Sequence, residues 1–265
     1  MICNPLAKYY KALYNITIMQ WGGETMPRFF TNEIDENNIT LTGSDAHHIG
    51  HSLRMRAGES VTVCCCGTDY NCTISRITAD TVYLDLVEKV RCAAEPDIEV
   101  TLFQAVPKQD KLEYIIQKSV ELGVSRIVPV LTRRCISRPD EHDFAKKLPR
   151  LNKIAAEAAK QSGRGKIPEV TPIVDWQTAV EMMKQLDVTA LLYEEKGGCS
   201  FGDIDFSGVR TAGLVVGSEG GFDSSEVEKA DSDNIRRVWL GSRILRCETA
   251  PITSLSILMF LTNNM

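Results

Sequence analysis

Two segments near the C-terminal end of the 265-residue chain combine residue types that can hold a ligand or act on it. The first is GLVVGSEGGFDSSEVEKA (213–230), which consists of a strand-like run, a glycine-rich turn and the start of a helix. Asp223 or Ser225 can cap this helix, and Glu226 or Glu228 can complete a capping box. The second, VWLGSRILRCETAPITSLSILMFL (238–261), places two arginines, a glutamate and a threonine before an apolar helix. Ligands of open α/β sheets bind beyond the carboxyl ends of strands, so these two strand-to-loop junctions form a candidate ligand site.

The glycine-rich turn is a weak signal when it is taken alone, because such a turn is often structural. It has neither the GxGxxG pattern of dinucleotide folds nor the GK[ST] ending of a P-loop, so neither NAD nor ATP is expected. No metal is expected, because the nine cysteines include no CxxC pair and His47, His48 and His51 lack the glutamate of HExxH. The cysteines are expected to be buried, reduced thiols of a reducing compartment.

The apolar pattern predicts two structural units that must position these segments. Residues 26–95 show a period of two, which is typical of a small β-barrel, in the runs NITL, SVTVCCC, NCTISRI and TVYLDLVEKV. Glu95-Pro96-Asp97 interrupts this pattern and is the expected domain boundary. Beyond it, strand-like runs alternate with helices, which indicates an α/β sheet, in IEVTLFQAV, RIVPVL, VTALLYE, GLVVGS and RRVWLG.

Two helices of the second unit have a recognisable apolar face. The first ends before Gly123, which suits a left-handed C-cap, and its stripe consists of Leu112, Ile115, Ile116 and Val120. The second is predicted over residues 144–162, with basic residues on its outer face. Its inner face consists of Leu148, Leu151, Ile154, Ala155, Ala158 and Ala159.

Charge is distributed unevenly along the chain. The net charge of −5 argues against a nucleic-acid-binding protein, yet residues 133–166 carry ten Lys or Arg against four Asp or Glu. Such a cluster attracts phosphates, and the alternative is an ordinary solvated helix face. No apolar run reaches the roughly 18 residues of a membrane span, and residues 1–25 lack the pattern of a secretory signal. A soluble, cytoplasmic protein is therefore expected.

Taken together, GSEGG and LGSRILRCETA strongly resemble the SPOUT-class RNA methyltransferases, and specifically the bacterial 16S ribosomal RNA uridine-N3 methyltransferases. The resemblance covers nearly all of residues 26–265 and includes MPRFF, HHIGHSLRMRAGE, DKLEYIIQKSVELGVSRIVPV and KIAAEAAKQSGR. It implies a PUA-like, RNA-binding β-barrel over 26–95 and a SPOUT-type α/β methyltransferase domain over 96–265. Residues 1–25 are expected to be an extension that is not native or is disordered, with Met26 as the start.

The resemblance also implies a cofactor and partners. The last segment of the α/β domain would pass through a trefoil knot that holds S-adenosylmethionine, and the helix ITSLSILMF would pack against a second subunit of a homodimer. The substrate would be a uridine of 16S ribosomal RNA within the small ribosomal subunit. Two positions depart from the family pattern, since Ser218 stands where proline is common and Cys247 where threonine is common.

Functional residues follow from the resemblance position by position. The residues implied to bind the cofactor are Leu192, Tyr193, Glu194, Gly217, Glu219, Gly220, Gly221, Leu240, Gly241, Ile244, Leu245, Arg246, Thr249 and Ala250. The uridine N3 proton must leave during methyl transfer, so Arg246 is expected to stabilise the developing anion and Glu248 is a candidate base. The alternative for Glu248 is an ion pair with Arg243 or Arg246. Phosphate contacts are expected from Arg28, Arg54, Arg56, Arg133, Arg134, Arg164 and Lys166.

Two alternative functions remain open at the level of sequence. A non-catalytic RNA-binding module would keep the barrel and the basic cluster, but it would not need both the GSEGG loop and the LGSRILRCETA loop. A SPOUT methyltransferase acting on another atom, such as a ribose 2′-hydroxyl, would keep all of these features. The intact GSEGG and RILRCETA motifs favour an enzyme over a binding module.

Overall fold

The structure is a computed structural model that describes residues 26–194, 197–230, 232 and 234–265. The expectation for residues 1–25 lies outside this range. The N-terminal unit is a five-stranded sheet, in which β1 is parallel to β3 and the other pairs are antiparallel. Its strands are β1 (Arg28–Thr31), β2 (Ile39–Thr42), β3 (Ser60–Cys65), β4 (Thr68–Ile77) and β5 (Thr81–Arg91), in the order β1-β3-β4-β5-β2.

A short helical segment follows β2 and closes one side of this sheet. It consists of α1 (Gly43–His47) and a π-helical turn (His48–Ser52), and its Ala46 and Ile49 are buried. The core beneath it is built from alternating strand residues such as Phe29, Val61, Val63 and Ile74. The structure confirms β2 to β5, which the period-two pattern predicted. Strand β1 was not predicted, because RFFT does not alternate apolar and polar residues, and the helical segment was not predicted, because each of its two parts is only five residues long.

The second unit is a parallel sheet of seven strands. Its strands are β6 (Glu99–Ala105), β7 (Arg126–Leu131), β8 (Glu169–Val170), β9 (Val174–Asp175), β10 (Val188–Leu192), β11 (Thr211–Val216) and β12 (Ile235–Val238). The order is β12-β10-β11-β6-β7-β8, with β9 also paired to β7. All the predicted α/β strands are present, which confirms the α/β class.

Helices cover both faces of the parallel sheet, as crossover connections require. They are α2 (Lys111–Glu121), α3 (Glu141–Gln161), α4 (Trp176–Met183), α5 (Ser224–Lys229) and α6 (Thr249–Leu261). Helices α2, α3 and α6 share one core with Leu102 and Leu214, whereas α4 and α5 pack on the other face against Phe103 and Val215. Successive strand residues thus point into opposite cores, which is why these strands read as continuous apolar runs.

The predicted helices are confirmed with small shifts at their ends. Helix α2 ends one residue before its C-cap Leu122, and Gly123 follows with a φ of +96°. Helix α3 begins at Glu141, three residues earlier than expected, because the Asp140 carboxylate accepts a hydrogen bond from the Asp143 amide and caps the first turn. Among the described residues, no helix is both long and apolar enough to cross a membrane.

Candidate active site

A cavity of about 620 Å³ opens at the carboxyl ends of β10, β11 and β12. These three strands are neighbours in the sheet and run parallel, so the loops that follow them meet at one edge. The lining residues are Leu192, Tyr193, Glu194, Val216, Gly217, Ser218, Glu219, Gly220, Gly221, Phe222, Val238, Trp239, Leu240, Gly241, Ser242, Arg243, Ile244, Leu245, Cys247 and Ala250. The two sequence segments singled out above thus form two walls of one cavity.

Twelve of the fourteen residues expected to bind the cofactor line this cavity. The other two, Arg246 and Thr249, do not: Arg246 lies between the lining residues Leu245 and Cys247 with its side chain exposed, and Thr249 is the exposed first residue of α6. The Arg246 carbonyl accepts hydrogen bonds from the amides of Thr249 and Ala250 at 2.9 Å. The backbone of Arg246 therefore starts α6, while its side chain is exposed next to two residues that line the cavity.

The glycine-rich turn approaches its surroundings more closely than any side chain would allow. Gly221 has a φ of +67°, and a Cβ atom there would lie 2.7 Å from Oε1 of Glu194. A Cβ on Gly217 would lie 3.1 Å from the Cα of Gly221, and one on Gly220 would lie 3.1 Å from the carbonyl oxygen of Arg134. Backbone rather than side chain therefore forms this wall, as in sites where amides and carbonyls contact a ligand.

Helix α5 fixes the far end of the turn. The Asp223 side chain accepts a hydrogen bond from the Ser225 amide at 3.2 Å, and the Glu226 side chain accepts one from the Asp223 amide at 3.1 Å, which confirms the capping box. Buried Glu226 also accepts a hydrogen bond from the Arg133 amide at 2.7 Å. The loop after β7 is thereby attached to the turn, and Ser218 strengthens this connection by donating its hydroxyl to the Arg134 carbonyl at 3.3 Å.

An ionic network lies behind the cavity wall. The Lys111 ammonium donates a hydrogen bond to Glu219 Oε1 at 3.0 Å and lies 3.2 Å from Glu248 Oε2. Hydrogen bonds to these carboxylates include one from the Lys108 amide to Glu219 at 3.2 Å and one from the Cys247 thiol to Glu248 at 3.2 Å. The expected ion pair of Glu248 with Arg243 or Arg246 is therefore replaced by an ion pair with Lys111.

The network determines the protonation of its members. Desolvation raises the pKa of the Glu219 and Glu248 carboxyls, but hydrogen bonds from backbone amides, the Cys247 thiol and Lys111 outweigh it, so both pKa values lie below their usual range. The hydrogen bond with Glu219 raises the pKa of Lys111 above its usual value. Burial, followed by the hydrogen bond with Glu248, raises the pKa of the Cys247 thiol to about 12. At neutral pH the network contains two carboxylates, one ammonium and a neutral thiol.

Sequence reasoning missed several cavity residues and the lysine behind them. Phe222, Trp239, Ser242 and Arg243 directly neighbour predicted residues, so extending each motif by one or two positions would have found them. Lys111 gave no such signal, because it lies more than a hundred residues before both of its partners and its helix was identified only from an apolar stripe. Only the three-dimensional structure brings it to Glu219 and Glu248.

The residues expected to contact phosphates fall into different environments. Arg54, Arg56, Arg133, Arg134 and Lys166 are exposed. Arg134 lies beside the cavity and donates to the carbonyl oxygen of Gly220 at 3.2 Å. Arg28 is largely buried in an ion pair with Asp69. Arg133 donates to the Ser225 hydroxyl at 2.7 Å, but its guanidinium, like the side chains of the other exposed residues, is open to solvent and accessible to a phosphate, which favours the exposed set.

Arg164 is a correction to the expected set of phosphate contacts. Its side chain is only 3% exposed, and it forms a bidentate ion pair with Glu95, with Nε 2.8 Å from Oε1 and Nη2 3.0 Å from Oε2. It also donates at 3.0 Å to the carbonyl oxygens of Val120, in the last turn of α2, and of Val124, just beyond the helix. A guanidinium with these partners connects parts of the protein to each other and is inaccessible to RNA.

Possible metal ligands come together at one place among the described residues, where atoms of Asp140, His142 and Asp143 lie within 4.8 Å of one another. All three residues are exposed, and the Asp140 carboxylate is already used to cap α3. The His47 and His51 rings stack on each other at 4.4 Å between ring centroids. Neither group contributes to the lining of the cavity.

The chain is similar to known RNA methyltransferases over most of its length. The model of the RNA methyltransferase domain matches residues 94–259, and that of the RNA methyltransferase PUA domain matches residues 41–87. The ribosomal RNA small subunit methyltransferase E of Bacillus subtilis is 34% identical over 250 residues, with 89% of this chain and 97% of that protein covered. The protein of the same name from Mesomycoplasma hyopneumoniae is 31% identical over 228 residues, with 86% and 96% covered.

Solved structures of methyltransferases are also similar to this chain over most of its length. The ribosomal RNA small subunit methyltransferase E of Neisseria gonorrhoeae, bound to S-adenosylmethionine, superposes with a TM-score of 0.78 at 30% identity, covering 89% of this chain and 98% of that one. A methyltransferase from Legionella pneumophila, in complex with the same cofactor, gives a TM-score of 0.77 at 28% identity, with 90% and 98% covered. The similarity spans both structural units and includes the cavity loops, and the chain belongs to the RNA methyltransferase family.

Proposed function

We propose that this protein transfers a methyl group from S-adenosylmethionine to N3 of a uridine in the 16S RNA of the small ribosomal subunit. The observation that carries the proposal is the cavity at the ends of β10, β11 and β12, which is walled by the GSEGG turn and the LGSRILRCETA loop. The names of the relatives support a small-subunit ribosomal RNA substrate. The choice of N3 rests on the resemblance of these motifs to the uridine-N3 enzymes.

The residues of the cavity suit this cofactor. A volume of about 620 Å³ falls within the usual range for small-molecule sites, and the walls combine apolar side chains with backbone amides and carbonyls. Leu192, Leu240 and Leu245 can cover the faces of an adenine, while the glycine backbone of the GSEGG turn can hydrogen-bond its edge. Two relatives of known structure bind S-adenosylmethionine. We assign Leu192–Glu194, Gly217, Glu219–Gly221, Leu240, Gly241, Ile244, Leu245 and Ala250 to the cofactor.

When bound, the cofactor supplies an electrophilic methyl group on a sulfonium, so the protein must mainly orient the two reactants. The uridine N3 carries a proton in its neutral form, and its loss leaves negative charge on the base. Arg246 is exposed and lies between Leu245 and Cys247, which line the cavity, and we assign to its guanidinium the stabilisation of that charge. Glu248 is held as a carboxylate of lowered pKa by Cys247 and Lys111, which makes it a weak proton acceptor and favours a role in shaping the loop.

RNA binding is assigned to the exposed basic residues of both units. Arg54 and Arg56 lie in the N-terminal unit, Arg133 and Arg134 follow β7 beside the cavity, and Lys166 lies on the loop that meets the N-terminal unit. N3 is on the Watson–Crick edge of uracil, so the target uridine must be unpaired or turned out of a helix. We assign residues 26–95 to RNA positioning and residues 96–265 to methyl transfer. A substrate of this kind places the reaction in the cytoplasm.

A homodimer completes the proposal. Helix α6 is apolar on all sides, with Leu255, Leu258 and Met259 in the core of its own subunit. Leu261, the last residue of α6, and Met265, four residues beyond it, are 39% and 70% exposed. An apolar helix end of this kind suits a second copy of the chain. Sedimentation equilibrium should give a dimer, and a monomer at micromolar concentration would contradict this part of the proposal.

The reaction can be tested with small ribosomal subunits that lack their native uridine methylation. Purified protein, S-adenosylmethionine carrying a labelled methyl group and these subunits are incubated together, and digested nucleosides are identified by mass spectrometry. We expect N3-methyluridine with the wild-type protein and a loss on the order of 10²-fold with Arg246→Ala, as for other groups that stabilise a developing anion. Arg236→Ala, which removes an exposed arginine of β12 outside the cavity lining, should keep the activity.

Each other outcome has a defined meaning. A 2′-O-methylated nucleoside would keep the cofactor and discard the target atom. Equal or greater activity on protein-free RNA would contradict the assembled subunit as substrate. Binding of the RNA without measurable cofactor binding would favour a non-catalytic RNA-binding module and overturn the proposal.

A further inference from the structure

We infer that Lys111 is a positioning residue. Its ammonium holds the GSEGG turn and the LGSRILRCETA loop, which form the two walls of the cofactor cavity, close to helix α2 and to each other. The inference rests on the proposed function, because it concerns how the two loops keep the geometry that binds S-adenosylmethionine. Lys111 does not line the cavity. It acts through Glu219 of the GSEGG turn and Glu248 of the following loop, both of which its ammonium contacts.

The geometry makes Lys111 the connection between two loops that otherwise belong to different strands. Glu219 follows β11 and Glu248 follows β12, and these strands are separated in the sheet by β10. The Lys111 ammonium lies 3.0 Å from one carboxylate, 3.2 Å from the other and 3.8 Å from the Cys247 sulfur. A single cation between two anions offsets their mutual repulsion, so the loops can remain close together without cofactor.

The base of the connection is rigid. Lys111 is the first residue of α2, next to Leu112, which is buried in the core with Ile115 and Ile116. The amide of Lys108, three residues earlier, donates to the same Glu219 carboxylate at 3.2 Å. Glu219 therefore has two partners at the start of α2, and the turn is attached to a helix whose Leu112, Ile115 and Ile116 are buried in the core.

Because they are partly buried, these ion pairs should stabilise the two loops more than fully exposed ion pairs would. The side chains of Lys111, Glu219 and Glu248 are 27%, 25% and 22% exposed, and three charges form one network instead of an isolated pair. The opposite shifts in pKa, upward for the lysine and downward for both glutamates, agree with mutual stabilisation of the charged forms. Loss of the ammonium would leave two carboxylates close together without their shared counter-charge.

The test is cofactor binding by the full chain in the absence of RNA. Isothermal titration calorimetry with S-adenosylhomocysteine, the demethylated form of the cofactor, is carried out on wild type, Lys111→Met and Lys111→Arg. We expect Kd to rise by about tenfold or more in Lys111→Met, the change that corresponds to losing one charge-assisted hydrogen bond, and to remain within about threefold of wild type in Lys111→Arg. Rescue by arginine identifies the charge and its hydrogen bonds as the cause.

Lys118→Met is the matched control. Lys118 lies on the same helix, is similarly exposed at 34%, and pairs with Glu121 at 2.8 Å away from the cavity. Its replacement should leave Kd unchanged. A steady-state comparison adds a second readout, because weakened positioning of the loops should raise KM for S-adenosylmethionine and leave KM for the RNA substrate unchanged. General damage to the fold would change both.

The outcomes separate this inference from the proposed function. If wild type does not bind S-adenosylhomocysteine, the proposed function fails and the inference with it. If wild type binds and Lys111→Met binds within twofold of it, the proposed function stands and the inference is overturned. Should Lys111→Met not fold, as judged by circular dichroism, Glu248→Ala removes one of the two carboxylates that Lys111 contacts, at a residue that does not line the cavity. Binding by that variant within twofold of wild type would likewise overturn the role of Lys111 in joining the two loops.

Discussion

At the scale of single residues, Cys247 differs in its position from the other cysteines of the described part of the chain. It lines the cavity, is buried, and has its thiol directed at the Glu248 carboxylate, which together with burial raises the thiol pKa to about 12. Only about 1 thiol in 10⁴ is ionised at pH 8 with such a pKa, and the thiolate is the reactive form. A cysteine in a methyl-transfer cavity is thereby kept from acting as a nucleophile.

This position predicts slow alkylation of Cys247 in the folded protein. After brief treatment with iodoacetamide at pH 8, peptide mass spectrometry should find the exposed Cys66 modified and Cys247 intact. The same treatment in concentrated urea should modify both, because unfolding removes the burial and the contact with Glu248. Modification of Cys247 at the rate of Cys66 under native conditions would show that its thiol is more accessible or more acidic than the structure indicates.

Residue types in the sequence indicated which positions are chemically important but not which positions meet. Glu248 was recognised as charged and close to two arginines, yet its partner is Lys111, which precedes it by more than a hundred residues. Arg164 belongs to the basic cluster by sequence, yet it is buried against Glu95. Local spacing describes neighbours along the chain, whereas both of these pairs form only when the parallel sheet brings distant loops together.

At the scale of structural elements, the GSEGG turn depends on the absence of side chains. Gly221 combines a φ of +67° with a space that Glu194 already fills, so Gly221→Ala must shift the Glu194 carboxylate or the turn itself. A non-glycine residue in this conformation costs about 1–2 kcal/mol before any steric clash is counted. We expect Gly221→Ala to weaken S-adenosylhomocysteine binding by at least about tenfold, a change of about 1.4 kcal/mol.

Gly208→Ala provides the control for backbone conformation. Gly208 has a similar φ of +74°, but a Cβ atom there would meet nothing within 4 Å. The two variants should lose similar stability in thermal unfolding, and only Gly221→Ala should lose affinity in calorimetry. Equal affinities for the two variants would mean that close approach within the turn is unimportant for the cofactor.

Elements with a clear apolar pattern could be predicted from the sequence, and elements without one could not. Helix α2 and the strands β6, β10 and β11 bury repeating apolar positions and were anticipated. Two-residue β8 and β9 exist only as partners of β7, so they carry no pattern of their own. The parallel order of the sheet, which creates the cavity, depends on crossover connections and is not encoded in any single strand.

At the scale of the whole molecule, the two units are joined by a buried polar contact. Arg164, on the loop after α3, pairs with Glu95, and the same carboxylate accepts hydrogen bonds from the amides of Gly165 and Lys166 at 2.8 and 3.1 Å. The amide of Gly67, in the turn between β3 and β4, donates to the carbonyl oxygen of Gly165 at 3.1 Å. One loop of the α/β unit thus contacts both the hairpin of the N-terminal unit and the segment between the units, which sets their relative orientation.

This contact should contribute strongly to stability, because removal of one partner leaves the other buried and charged. We expect Arg164→Ala to lower the free energy of unfolding by about 3–5 kcal/mol in denaturant titrations at pH 7. Arg150→Ala is the control: Arg150 pairs with Glu113 but is 71% exposed, and its loss should cost less than about 1 kcal/mol. A loss below about 1 kcal/mol for Arg164→Ala would show that the pair does not hold the units together.

The dependence of this contribution on pH has a defined sign. Desolvation raises the pKa of Glu95, but the hydrogen bonds from Arg164 and from the two backbone amides outweigh it, so the folded-state pKa lies below the ordinary value of 4.5. A carboxyl whose pKa is lowered by folding stabilises the protein above its unfolded pKa and loses that effect as pH falls through the folded pKa. The difference in stability between wild type and Glu95→Gln should therefore be constant from about pH 6 to 8 and shrink below about pH 4.5. A difference that grew in acid would contradict the ion pair.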